Sequence, residues 1–128
     1  MTPHFQYVDG TLTCDGLTAA DVAARFGTPL YIYSAEALRL NYGRLAGAFS
    51  SLRPLICFSV KSCPNTHILR LLVEQGAGLD VVSGGELYRA FHAGAEPARI
   101  VYAGVGKTQQ EITEALGERD WPGLSQSA

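Results

Sequence analysis

Lys61 closes an apolar run, Leu55-Ile56-Cys57-Phe58-Ser59-Val60, and Pro64-Asn65 follow it. Such a run, broken by proline and asparagine, reads as a buried strand that delivers one amine at its C-terminal end. Strand alternation puts Cys57, Ser59 and Lys61 on one face and Ile56, Phe58 and Val60 on the other. A lysine flanked by small residues at a strand end is a candidate amine nucleophile. A lysine that has just reached solvent fits the same window, since most lysines are solvated. Two glycine-rich stretches raise the question of anion binding. Gly104-Val105-Gly106-Lys107-Thr108 lacks the spacing of a phosphate-binding loop, because one residue separates its glycines. It reads as a tight turn feeding a helix. Ser83-Gly84-Gly85-Glu86 is either a helix start with close backbone approach or an anion seat, and both readings stand at this point. His4, His67 and His92 are scattered, and Cys14, Cys57 and Cys63 form no CxxC pair, so no metal site is expected.

The elements that position these residues follow from periodicity and punctuation. Phe5–Thr13 reads as a hairpin with Asp9-Gly10 at the turn. Thr18 caps a short helix with Ala19, Val22, Ala23 and Phe26 on one face, ended by Gly27. Leu30–Tyr33 is expected to be a strand. Ser34 caps a helix running to about Leu52, striped by Leu38, Tyr42, Leu45, Phe49 and Leu52. After the lysine strand, a helix to about Gln75 buries Ile68, Leu69, Leu72 and Val73. Leu79–Val82 is a core strand, followed by a helix with Leu87, Ala90 and Phe91. Ile100–Ala103 is a further strand, and Thr108-Gln109-Gln110-Glu111 opens a last helix with a capping box. Strand ends near Lys61, Ser83 and Gly104 recur at steps of about twenty residues, the period of short βα units in a parallel sheet or barrel. In such folds chemistry gathers at the C-terminal strand ends, where Lys61, Asp80, Ser83 and the Gly104–Lys107 loop fall.

Gross composition narrows the class. The chain has 128 residues, 47% hydrophobic and 17% charged, with a net charge of −2. That favours one folded domain with a buried core and excludes a large basic footprint for nucleic acid. No apolar run approaches the length of a membrane span, and Met1–Gly10 lacks the pattern of a signal peptide. Reduced thiols in the cytoplasm are the expectation for three cysteines without a secretory signal.

Phe58-Ser59-Val60-Lys61-Ser62-Cys63-Pro64-Asn65 followed by Ile68-Leu69-Arg70-Leu71-Leu72 resembles the cofactor-lysine segment of the fold-type III pyridoxal-phosphate decarboxylases, which act on diaminopimelate, ornithine or arginine. Gly78–Ala90, Ile100–Thr108 and Phe26–Tyr33 are similar to the diaminopimelate branch rather than the ornithine one. The resemblance covers about Phe5 to Leu116.

The resemblance implies a partial TIM-type (β/α)8 barrel of the alanine racemase-like fold, N-terminal portion only. Residues 1–16 would belong to the β domain of the full-length family, 17–116 to the barrel, and 117–128 form a divergent tail. It implies pyridoxal 5′-phosphate as cofactor, with Lys61 as its Schiff-base lysine and Asp80 as a supporting residue near the ring. Ser59 and Cys63 depart from the usual residues at their positions. The family's phosphate-binding glycine loop, ring-nitrogen glutamate and cross-dimer residues have no counterpart here. The expected function is the cofactor-attachment part of a diaminopimelate decarboxylase, forming lysine and carbon dioxide, inactive as this chain alone. A related ornithine or arginine decarboxylase and a non-catalytic truncated product are the alternatives. Expected partners are a small amino-acid substrate and, in the full-length family, a second subunit.

Overall fold

A computed structural model describes residues 4–117. Its backbone divides into two units, Met1–Leu45 and Ala46–Ala128.

In the first unit, β1 (Phe5–Val8) pairs antiparallel with β2 (Thr11–Cys14), with Val8 opposite Thr11. The connecting Asp9 and Gly10 have φ of 49° and 78°. Positive φ at both central residues is the turn that matches strand twist, and Asp-Gly adopts it at low cost. A second Asp-Gly turn repeats the device. Asp15 (φ 47°) and Gly16 (φ 84°) link β2 to β3 (Leu17–Thr18), which pairs Cys14 with Leu17. The expected hairpin is therefore a three-stranded meander. Asp15 is tied further, through its carboxylate to His4 Nδ1 at 3.3 Å and to the Ser34 hydroxyl at 2.9 Å.

Thr18 caps α1 (Ala19–Phe26): its Oγ1 accepts from the Asp21 N–H at 3.0 Å and donates to the Asp21 carboxylate. Gly27 ends the helix, its N–H reaching Ala23 O. Ala19, Val22 and Ala23 are half-buried and Phe26 is exposed. Leu30–Tyr33 does not form the expected strand. Among the described residues its backbone joins no ladder, and Tyr31 is 90% exposed. The β-rich composition of a segment does not make a strand without a neighbour to satisfy its backbone groups.

The boundary between units falls within α2 (Ala35–Ala48), capped by the Ser34 hydroxyl, which accepts from Ala37 N–H at 2.9 Å. The helix stops four residues before Leu52. Ser50–Leu52 tightens into a 3₁₀ turn, and Arg53 takes a left-handed φ of 48° ahead of Pro54. Serine pairs compete for local backbone groups, and proline excludes helical geometry from the residue before it.

The second unit alternates strand and helix: β4 (Cys57–Ser59), α3 (Thr66–Glu74), β5 (Gly78–Val81), α4 (Gly84–His92), β6 (Ile100–Tyr102) and α5 (Gln109–Leu116). The strands form one parallel sheet in the order β4-β5-β6. This is the β/α progression read from the sequence. Leu79 and Val81 point to one face of β5 and are fully buried; Val60, Leu69, Leu87 and Ala90 pack in the same cluster. Each large side chain buried there contributes about 1.5–3 kcal/mol. Ile68, Leu69 and Leu72 are the buried stripe of α3, as its periodicity predicts. Gly76 (φ 90°) and Gly94 (φ 86°) follow α3 and α4 with the left-handed geometry that glycine adopts without strain.

Gly78 answers to a different constraint. A β-carbon there would lie 2.6 Å from Arg99 O and 2.8 Å from Cys57 Sγ. The first residue of β5 is thus glycine because its neighbours approach too closely for any side chain. Three arginines bond to loop or helix-end carbonyls: Arg99 to Gly76 O, Arg70 to His92 O and Arg89 to Pro64 O.

Candidate functional site

The face of the second unit's sheet opposite the packed core carries Asp80, one of the two predicted site residues. Parallel register sets Cys57 beside Gly78, Ser59 beside Asp80, and Asp80 beside Val101. Because Leu79 and Val81 are wholly buried on one face of β5, alternation turns Gly78 and Asp80 to the other. Ser59 Oγ donates to Asp80 Oδ2 at 3.3 Å, so the carboxylate is held on one side by a small hydroxyl. Val101, across from it on β6, is 47% exposed, which leaves this face open. Burial, then the Asp80 carboxylate, push the Cys57 thiol pKa up, with Arg99 opposing. Cys57 is thereby a poor nucleophile, since the thiolate is the reactive form.

Lys61 lies just beyond the strand, not at its last position. β4 ends at Ser59, and Val60–Ser62 forms a 3₁₀ turn closed by Cys63 N–H to Val60 O at 3.1 Å. The Val60 carbonyl, next in line after Ile56 and Phe58 to face β5, is thus turned to Cys63 instead, and the Ser62 hydroxyl donates to Ser59 O at 2.6 Å within the same turn. Pro64 then directs the chain to Asn65, whose side chain caps α3 through His67 N–H at 3.0 Å. Val60 is fully buried and anchors the turn. Lys61 is exposed, and its amine has no hydrogen bond or ion pair among the described residues. An anchored backbone with an unengaged amine is the arrangement a carbonyl-directed lysine needs.

Lys107 is the opposite case. Its ammonium donates to Tyr102 O at 3.3 Å, Ala103 O at 3.1 Å and Gly104 O, and lies 5.2 Å from the Tyr102 ring centre. It ties off the carbonyls at the end of β6, and the glycine loop that carries it is a structural turn.

Most of the amides around Ser83-Gly84-Gly85-Glu86 have acceptors within the protein. Ser83 Oγ accepts from Glu86 N–H at 3.3 Å. Glu86 Oε2 accepts from Val82 N–H at 2.9 Å, one residue earlier than a capping box predicts. Gly84 N–H donates to Glu111 Oε1 at 3.0 Å. The protein's own carboxylates thus take the place of a bound anion. Glu111 completes the capping box of α5 as well, with Oε2 accepting from Thr108 N–H at 2.9 Å and Oγ1 at 3.1 Å. Those backbone and hydroxyl donors hold its pKa at about 2, against an ordinary value of 4.5. Tyr102 Oη is buried without a partner in hydrogen-bond geometry. Burial, and next the nearby Glu111 charge, raise its pKa. The box at Thr108 was legible in the sequence; the reach of Glu111 to Gly84, 27 residues away, was not. Among the described residues no group of three or more histidine, cysteine or acidic side chains is arranged to hold a metal ion. No helix there is long and apolar enough to cross a membrane.

A parallel β/α sheet with an unengaged lysine beyond its first strand and an aspartate on the neighbouring strand defines a class, the α/β proteins in which strand ends are the usual place for chemistry. Comparison with known proteins specifies it. The family described as "Pyridoxal-dependent decarboxylase, pyridoxal binding domain" matches residues 36–119, and the chain belongs to that family. Diaminopimelate decarboxylase of Aquifex aeolicus is 48% identical over 114 residues, covering 89% of this chain and 27% of the relative. The Pseudomonas aeruginosa enzyme of the same name is 42% identical over 112 residues, covering 88% and 27%. A crystal structure of diaminopimelate decarboxylase from M. jannaschii in complex with L-lysine superposes with a TM-score of 0.85 at 36% identity, covering 90% of this chain and 28% of that one. The fold is therefore the partial barrel of these pyridoxal enzymes. The chain spans about a quarter of the length of the relatives it matches.

Proposed function

We propose that this chain is the cofactor-attachment part of a diaminopimelate decarboxylase, with Lys61 as the amine that takes the aldehyde of pyridoxal 5′-phosphate. The observation that carries the reading is the contrast between the two lysines: Lys61 stands exposed and unengaged on an anchored turn, while Lys107 is committed to backbone carbonyls. When bound, pyridoxal phosphate supplies an electron sink for the electron pair left by departing carbon dioxide.

The chain's own residues do the positioning. Val60 fixes the turn, so Lys61 Nζ is searched for by its own rotamers alone. Asp80, on the open face and steadied by Ser59, supplies a negative charge near the amine's strand end. That charge favours the protonated form of a basic group brought against it. The donor set fits the aldehyde and ring end of the group. At the start of α4 most of what a phosphate would use is already committed, since Glu111 and Ser83 take Gly84 N–H and Glu86 N–H. The phosphate contacts are assigned to the part of the relatives that this chain does not span. The substrate assignment, diaminopimelate, and the assembly, a homodimer of the intact enzyme, rest on the relatives. Three free cysteines fit a reducing compartment, the cytoplasm.

The test is chemical. The purified chain is incubated with pyridoxal 5′-phosphate, reduced with borohydride and mapped by peptide mass. The label is expected on Lys61 and is lost in Lys61→Arg. Comparable labelling of Lys107 with none on Lys61 would sink the assignment. For the substrate, an intact protein carrying this segment should turn over diaminopimelate in preference to ornithine.

A further inference from the structure

The carboxylate of Glu111 divides its two oxygens between two loops. Oε1 takes Gly84 N–H, at the start of α4, and Oε2 takes Thr108 N–H, at the start of α5. These loops follow consecutive strands, β5 and β6, on the rim where strand ends meet the open face. Around this link the strand ends are held by further bonds. Val82 N–H goes to Glu86 Oε2, Ala103 N–H goes to Val81 O at 2.9 Å, and Lys107 gathers the carbonyls of residues 102–104. Asp80 lies four residues before Gly84, near the end of β5.

We propose that Glu111 is a positioning residue of the lysine site, its carboxylate latching the loop after β6 to the loop after β5 and so fixing the strand end that carries Asp80. A helix cap needs only one of the two oxygens. The second oxygen contributes nothing to α5 itself and acts on the neighbouring unit of the barrel. Hydrogen bonds to a charged acceptor are about twice as strong as neutral ones, so the link couples two loops whose other bonds are mostly local. The role of Asp80 rests on the proposed function, whereas the latch is testable without it.

The experiment measures amide exchange by NMR on the full 128-residue chain and on three variants, then pyridoxal phosphate labelling of Lys61 on the same samples. Glu111→Ala removes both links. Gly84→Pro removes the Gly84 donor and sets ring carbons against Glu111 Oε1, which a β-carbon there would approach to 3.4 Å, while leaving the Glu111 side chain and Thr108 in place; proline suits the first position of a helix, and Ser83, at φ −150° and ψ 160°, has the extended geometry that precedes it. Gln110→Gly weakens α5 without touching the latch, by removing its bond to Glu114. In Glu111→Ala the Gly84 amide should exchange about tenfold faster and Val82 should follow, with Lys61 labelling reduced severalfold. Gly84→Pro should lower labelling to a similar degree while Thr108 stays protected. Gln110→Gly should speed exchange in α5 alone and leave labelling as in the parent chain. Unchanged Gly84 exchange in Glu111→Ala would make Glu111 a local cap and overturn the latch. Faster exchange with undiminished labelling would overturn its positioning role. Absence of Lys61 labelling in the parent chain would instead refute the proposed function and leave the exchange result to judge the latch.

Discussion

Turn chemistry and caps hold the first unit, and burial holds the second. Among the described residues of the first, the buried side chains are Thr13, Cys14 and Ser34, two of them hydroxyls with named partners. Its order comes from two Asp-Gly turns, the Thr18 and Ser34 caps and the Asp15 contacts. The second unit has Val60, Leu69, Leu79 and Val81 entirely out of water. The difference teaches where each kind of substitution will be felt: the first unit answers to backbone conformation, the second to volume.

The sharpest test of that contrast is Leu79→Ala, which removes a fully buried side chain and should cost about 2–5 kcal/mol in a urea melt. Leu12→Ala, half-buried on β2, should cost well under half as much. Equal losses would break the comparison. Gly78→Ala comes next, at about 1–3 kcal/mol, because the new methyl meets the Arg99 carbonyl and the Cys57 sulfur. Its counterpart in the first unit has the opposite sign. A β-carbon at Gly43, within α2, meets nothing within 4 Å, so Gly43→Ala should raise stability by about 0.5–1 kcal/mol through helix propensity. Thr18→Ala should cost about 1 kcal/mol and be read in the fraying of α1.

The smallest effect is a pH effect. The Glu111 carboxyl has a folded pKa of about 2, below its ordinary 4.5, so it binds its proton more readily when unfolded. Its contribution is fully present above about pH 4.5 and is lost as pH falls toward 2. The stability gap between the parent chain and Glu111→Gln, followed by acid titration, should therefore narrow across that window. A gap that widens there would contradict the assignment.

What could be read in the sequence was whatever local chemistry decides. The Asp9-Gly10 turn, the caps at Thr18, Ser34, Ser83 and Thr108, the α3 stripe and the β/α alternation each announce themselves within a few residues. The second Asp-Gly turn carried the same signal and was missed only because Cys14-Asp15-Gly16-Leu17 has so short a strand after it. Leu30–Tyr33 was misread because strand formation depends on a partner that propensity does not report. The placement of Lys61 past the strand turned on the Val60 carbonyl, which Cys63 N–H takes in place of a donor from the neighbouring strand. Gly78 and the Glu111 to Gly84 bond are contacts between distant segments, and no window of sequence contains both ends. The divergent tail expected from Gly117 lies beyond the described residues except for Gly117 itself.

Basic charge in this chain is almost wholly arginine, with eight arginines and two lysines. Guanidinium stays protonated and does not take part in carbonyl condensation at neutral pH. Of the two side-chain amines, Lys107 has all three of its donors directed at carbonyl oxygens. Apart from its α-amino group, the protein therefore presents one side-chain amine to an electrophile in solution. A limiting dose of an amine-reactive dye should divide between the α-amino group and Lys61 and leave Lys107 unmodified, with lower pH favouring the α-amine.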